Sequence, residues 1–134
     1  MNPHPGQNSL TIAALGAQRK SRMLKAGADP EARDSNHLTG LIWAGRKGSI
    51  EVATVLLSGG ANLDGEDWRK RTSLSHAVAY KRHEFVAFLL ERGAAPNPLD
   101  IHGWTPLDIA SSNQDERMVS LLKIHGGRSG KNGA

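Results

Sequence analysis

Apolar residues recur three and four positions apart in two stretches of the chain. The first holds Val52, Val55 and Leu56, the second Phe85, Phe88 and Leu89. That spacing places each triplet on one face of an α-helix. The second triplet repeats the first after 33 residues. The same step relates Asp34, Asp67 and Asp100, then Thr39, Thr72 and Thr105, Leu41, Leu74 and Leu107, and Ala44, Ala77 and Ala110. It also relates Leu56, Leu89 and Leu122, and finally Gly60, Gly93 and Gly126. Six columns in register over three periods mark an internal repeat.

The residue types at these columns predict two helices per unit. Thr opens the first helix, where its hydroxyl caps an orphan backbone N–H. Pro106 fits the first helical position, which needs no N–H. Small Ala44, Ala77 and Ala110 let neighbouring first helices approach closely. Gly60, Gly93 and Gly126 end the second helices, where a left-handed residue satisfies the last carbonyls. Each unit has too little apolar face to fold alone, and stacking supplies the missing partner.

The third unit reads Gly103-Trp104-Thr105-Pro106-Leu107-Asp108-Ile109-Ala110, and the others are weaker versions from Thr39 to Ala44 and from Thr72 to Ala77. The closing motif recurs as Leu56-Leu57-Ser58-Gly59-Gly60-Ala61 and Leu89-Leu90-Glu91-Arg92-Gly93-Ala94. An earlier copy, Met23-Leu24-Lys25-Ala26-Gly27-Ala28, precedes the first by 33 residues. With its 33-residue period and T-P-L-H-x-A-like opening, the pattern resembles the ankyrin repeat. The resemblance covers roughly residues 9–127. It implies an all-α solenoid of stacked helix–turn–helix units with hairpin-like loops. The division it suggests is a flexible N-terminus (1–8), a degenerate N-terminal capping repeat (9–33), repeats at 34–66 and 67–99, a C-terminal capping repeat (100–127) and a disordered tail (128–134). Departures from the family pattern are visible. The Gly of the turn after each Asp is His37 and Lys70, and the Gly between helices is kept at Gly48 but replaced by Lys81 and Gln114. If the turn position after Asp keeps a positive φ, His37 and Lys70 each cost about 1 kcal/mol there.

Composition narrows the function. The chain has 134 residues, only 38% of them hydrophobic and 4% aromatic. That is thin for a two-layer core and sufficient for a one-dimensional stack. The absence of cysteine excludes disulfides, thiolate zinc sites and a cysteine nucleophile. No apolar run is long enough to span a membrane, and Met1 to Ser9 lacks the basic and apolar regions of a secretory signal. A cytoplasmic location is the resulting expectation. The net charge of +4, with both signs interspersed, reads as a solvated surface with a basic face available to an acidic partner.

Catalytic constellations are missing. There is no nucleophile elbow, phosphate-cradling glycine loop or zinc-protease motif. His76 shares a column with Trp43 and Ile109 and is expected to be a satisfied histidine between helices. His37 and His102 lie in separate loop tips without a third ligand, so no metal site is expected. Asp108 stands where the family usually has His and is expected to cap its own helix. Neither an enzymatic activity nor a cofactor follows from these residues.

The resemblance implies that partners contact loop tips and the inner face of the first helices. At the tips those columns hold Asn36 and Leu38, Trp68, Arg69 and Arg71, and Ile101, His102 and Trp104. On the inner helices they hold Arg46, Lys47, Tyr80 and Asn113. Trp, Tyr and Arg dominate interface energetics, which points to a binding face. The bland alternative is that Trp68 and Trp104 fold over neighbouring loops and brace the stack. Trp43 is expected in the core. The function expected is a non-catalytic protein-binding module, one version being a stand-alone inhibitor or immunity-type protein. Its partner would be a protein with an acidic or mixed surface, not a small molecule or a membrane. Nucleic-acid binding through the same basic face is the alternative, disfavoured by the small charge excess.

Overall fold

A computed structural model describes Arg33 and residues 38–130. The predicted flexible N-terminus, almost all of the N-terminal capping repeat, Asn36 and His37 lie outside the described residues. Six helices follow one another: α1 (Gly40–Lys47), α2 (Ile50–Ser58), α3 (Ser73–Ala79), α4 (His83–Glu91), α5 (Pro106–Ser112) and α6 (Glu116–Ile124). They pair as α1–α2, α3–α4 and α5–α6, each pair joined by a short turn. The inner helices α1, α3 and α5 pack in a row, and α4 packs against α6. The result is the expected all-α stack.

Local chemistry sets the helix starts. Thr39 accepts from the Ile42 N–H, Thr72 from Ser75 and Thr105 from Asp108. In the second and third units the Ser75 and Asp108 side chains return the bond to the Thr backbone, completing capping boxes. Asp108 is thus the local cap expected for it. The outer helices end at Gly60, Gly93 and Gly126, all with φ above 90° or at it (98°, 91° and 90°). This lets the Ala61 N–H reach the Leu56 carbonyl and the Ala94 N–H reach that of Leu89, each at 3.0 Å.

The core lies between the two helix layers. Leu41, Leu74 and Leu107 from the inner helices meet Leu56, Phe85, Leu89, Met118 and Leu122 from the outer ones. Ala44, Ala77 and Ala110 are fully enclosed. Close approach is strictest at Gly45: a Cβ there would come within 2.6 Å of the Ser73 hydroxyl oxygen. That hydroxyl donates to the Leu41 carbonyl at 2.7 Å and joins α1 to α3.

The turns keep a left-handed backbone even without glycine. Lys70 has φ 61°, Lys81 60° and Gln114 55°, beside 73° at Gly48 and 77° at Gly103. The positive φ anticipated at Lys70 is therefore present, and Lys81 and Gln114 share it, while His37 lies outside the described residues.

Hairpin-like tips are organised by the Asp column. Asp67 Oδ1 accepts from the Arg69 and Arg71 N–H groups at 2.8 and 3.0 Å. Asp100 Oδ1 does the same for His102 and Trp104. The Ile101 N–H donates to the Arg69 carbonyl at 3.0 Å, joining neighbouring tips.

The tail expected to be disordered from Arg128 is ordered at its first residues. The Arg128 N–H donates to Asn97 Oδ1 at 2.7 Å, its carbonyl accepts from the Thr105 hydroxyl at 2.6 Å, and the Gly130 N–H donates to Asp108 Oδ2 at 2.8 Å. These polar groups come from the preceding loop and from the cap of α5, and together they hold a segment of loop-like composition in place. Residues 131–134 lie outside the described residues.

Candidate binding groove

The inner helices and the second hairpin tip enclose a groove of about 300 Å³. Its walls include Arg46 from α1, Ala79 and Tyr80 from the end of α3, and Trp68, Arg69 and Arg71 from the tip. Six of the residues expected at a binding face, Leu38 included, are thereby brought together.

Arg46 is held by two aromatic rings. Its guanidinium carbon lies 4.8 Å from the Trp43 ring centroid and 4.9 Å from that of Tyr80. Its Nη2 donates to the Tyr80 hydroxyl at 2.5 Å. Contacts of this kind are worth about 0.5–2 kcal/mol each, more where water is excluded. The Arg46 Nε is enclosed without an acceptor. At the tip Arg69 stacks on Trp68 at 5.0 Å. Trp68 is 59% exposed and Tyr80 44%, a large amphipathic surface for an unbound protein.

One ion pair and one histidine–carboxylate hydrogen bond shape the electrostatics. Arg71 Nε donates to Asp100 Oδ2 at 3.2 Å and ties the second tip to the third. Burial pushes the Asp100 carboxyl up. The Trp104 and His102 N–H groups and the Arg71 guanidinium outweigh this and hold it below the usual range. His76 Nε2 lies 2.8 Å from Asp67 Oδ2 on the groove wall. Burial lowers the imidazole pKa below 6.5 and outweighs the Asp67 carboxylate, with Arg46 and Arg71 adding to the lowering. His76 is the satisfied, largely buried histidine expected, and its neutral form faces a cationic groove.

Other candidates separate from this cluster. Trp104 is half-buried and packs against the hydrophobic core, so it braces the stack. Its column is that of Leu38 and Arg71, whereas Trp68 shares its column with Ile101. Leu38 lines the groove but is buried, with 6% exposure, rather than an exposed tip contact. Ile101 and His102 are exposed on the third tip, outside the groove lining. Asn113 is exposed at the end of α5, where its amide donates to the Ala79 carbonyl at 3.4 Å. Lys47 has its ammonium 5.9 Å from the Trp43 ring and lines a different cleft at the far edge. Asn36 lies outside the described residues.

Trp43 departs from its assignment to the core. It is only half-buried, and its ring carries Arg46. Sequence reasoning missed it as part of the stacked ladder, although an Arg three residues along the helix was the available signal. Among the described residues no group of three or more His, Cys, Asp or Glu could hold a metal ion. Nor is any of their helices long and apolar enough to cross a membrane.

Comparison with known proteins places this architecture. A family model described as "Ankyrin repeats (3 copies)" matches residues 10–100 and again 69–132. The mouse (Mus musculus) B-cell lymphoma 3 protein homolog is 36% identical over 109 residues, 78% of this chain and 24% of that protein. The mouse RelA-associated inhibitor is 30% identical over 111 residues, 81% of this chain and 14% of that protein. The human (Homo sapiens) SH3 and multiple ankyrin repeat domains protein 1 is 35% identical over 117 residues, 84% of this chain and 5% of that protein. The chain thus spans a quarter or less of the length of these relatives. With the family model covering nearly all of its residues and the helix pairs stacking at the matching period, the chain belongs to the ankyrin repeat family.

Proposed function

We propose that the chain is a non-catalytic protein-interaction module that binds a protein of acidic or mixed surface through its concave face and the second hairpin tip. The observation that carries this reading is the single groove in which Arg46, between two rings, faces the exposed Trp68–Arg69 stack. Aromatic residues and arginine are the usual anchors of protein interfaces. Trp68 and Arg69 supply apolar area and positive charge side by side. An aromatic or aliphatic side chain flanked by carboxylates complements both.

The name of the mouse RelA-associated inhibitor records association with RelA and inhibition. For this chain the corresponding proposal is that it acts by covering its partner's surface. Nucleic-acid binding is the competing reading. A salt titration separates the two. Binding to the partner, recovered by co-purification from the native source, should weaken by less than about tenfold between 50 and 200 mM salt. Phosphate-dominated binding to duplex DNA with several contacts loses about a thousandfold or more over that range. A partner that proves to be nucleic acid, with the steep slope, contradicts the proposal.

A further inference from the structure

The far edge of the stack, where inner helices turn into outer ones, carries a second concentration of charge. Lys47 at the end of α1, Lys81 and Arg82 in the α3–α4 turn, and Arg117 on α6 line a cleft of about 260 Å³. All four are exposed. None of the four sits in a salt bridge with a carboxylate among the described residues, although Lys81 feels the charge of Asp115. Glu84 is the one carboxylate on the cleft wall. His83 also lines it, but its Nε2 is committed to Asp115 at 2.8 Å. The lining itself holds four cations against one acid, with Asp115 behind His83 as the next carboxylate, in a chain whose net charge is +4.

Lys81 sharpens the point. It holds a left-handed backbone, φ 60°, in the column that Gly48 and Gln114 occupy at 73° and 55°. Glycine meets that conformation with less strain, and glutamine meets it without charge. The backbone there does not call for a cation; attraction to Asp115 favours one, and repulsion from Lys47, Arg82 and Arg117 opposes it.

We propose that this cleft is an anion-binding site that takes a phosphate monoester. A dianion offsets two of the excess charges at once. Its three free oxygens can accept from donors arriving from three directions, namely α1, the α3–α4 turn and α6. A carboxylate has one charge and two oxygens and meets fewer of these donors. The site is separate from the concave groove, although the Arg82 Nε donates to the Arg46 carbonyl at 2.9 Å and the two share that strut. The phosphate can belong to a phosphorylated side chain of a partner or to a free small ester.

The test is an NMR titration of the full ¹⁵N-labelled chain at constant ionic strength, with chloride replaced by inorganic phosphate or by a short Gly/Ser peptide containing one phosphoserine. Saturable shifts of the Gly48 amide and of the amides from Lys81 to Phe85 are expected. The apparent affinity should fall at least tenfold in Lys81→Gly and in Arg117→Ser. Lys81→Gly relieves the backbone strain, so it should melt no lower than the parent chain, and lost binding there is not lost folding. A peptide that binds more tightly than inorganic phosphate assigns the group to a partner segment, and equal affinities assign it to a free ester. The proposal is overturned if neither probe gives a saturable shift, or if the variants bind as the parent chain does.

Discussion

Trp68 is 59% exposed and stacks on the guanidinium of its neighbour, while Trp104 packs against the core. Trp68→Ala should therefore change stability by less than about 0.5 kcal/mol, as surface substitutions do. Trp104→Ala removes half-buried apolar area and leaves a gap, at a cost of about 2 kcal/mol. Urea denaturation of the two variants checks this, and equal midpoints would contradict the division of roles. His76 gives a second expectation. Its folded-state pKa is lowered from 6.5, chiefly by burial. The unfolded chain then binds more protons, so stability declines as pH falls below about 6.5 towards the folded-state value. Asp100 and Asp115 are held below 3.8: burial pushes each up, but their N–H and cationic partners prevail. Their contributions are present above 3.8 and lost as pH falls through the folded values. Urea midpoints should accordingly drop in two stages, and His76→Gln should flatten the stage near 6.5. An unchanged profile in that variant would argue against a buried neutral imidazole. The columns made part of this legible. His76 was readable as a satisfied side chain, and Trp104 could have been read from its column partner Leu38. The burial of Asp67 and Asp100 was not, because it follows from backbone N–H groups that their own turns bring round.

At the scale of elements, helix positions followed directly from Thr caps, small Ala columns and terminal glycines, since these act within a few residues of each other. Non-local partners were invisible. Arg128 to Gly130 reads as a loose tail, yet Asn97, Thr105 and Asp108 hold it. Deleting residues 127–134 should cost about 1–2 kcal/mol through loss of these bonds and exposure of Asp108. It should also quicken amide exchange in α5 and leave α1 unchanged. Exchange in α5 that stays as slow as before would show the clasp to be without weight. The strained turns give an opposite expectation. Lys70→Gly and Gln114→Gly should each stabilise the chain by roughly 0.5–1 kcal/mol, because the left-handed strain disappears. Thermal melts of both variants check the sign.

As a whole the molecule is a row of units in which α3 and α4 are flanked by described repeats on either side. Nearest-neighbour stacking makes such a middle unit the slowest to open, so amide exchange should be slowest there and faster in α5 and α6. The same row builds the groove proposed as the binding face. Arg46 and Tyr80, 34 residues apart, meet because one repeat step separates them, and the second tip folds over both. That convergence was legible in the period, while the split between Trp68 and Trp104 needed their packing. The most direct test of the groove is the affinity of the natural partner for the Trp68→Ala/Tyr80→Ala protein, measured alongside its melting temperature. The double variant should melt within about 3 °C of the parent chain. Its dissociation constant should rise at least about thirtyfold, the equivalent of roughly 2 kcal/mol for lost interface anchors. Undiminished affinity in a folded variant, or a loss that merely tracks unfolding, would contradict the assignment of this groove as the binding site.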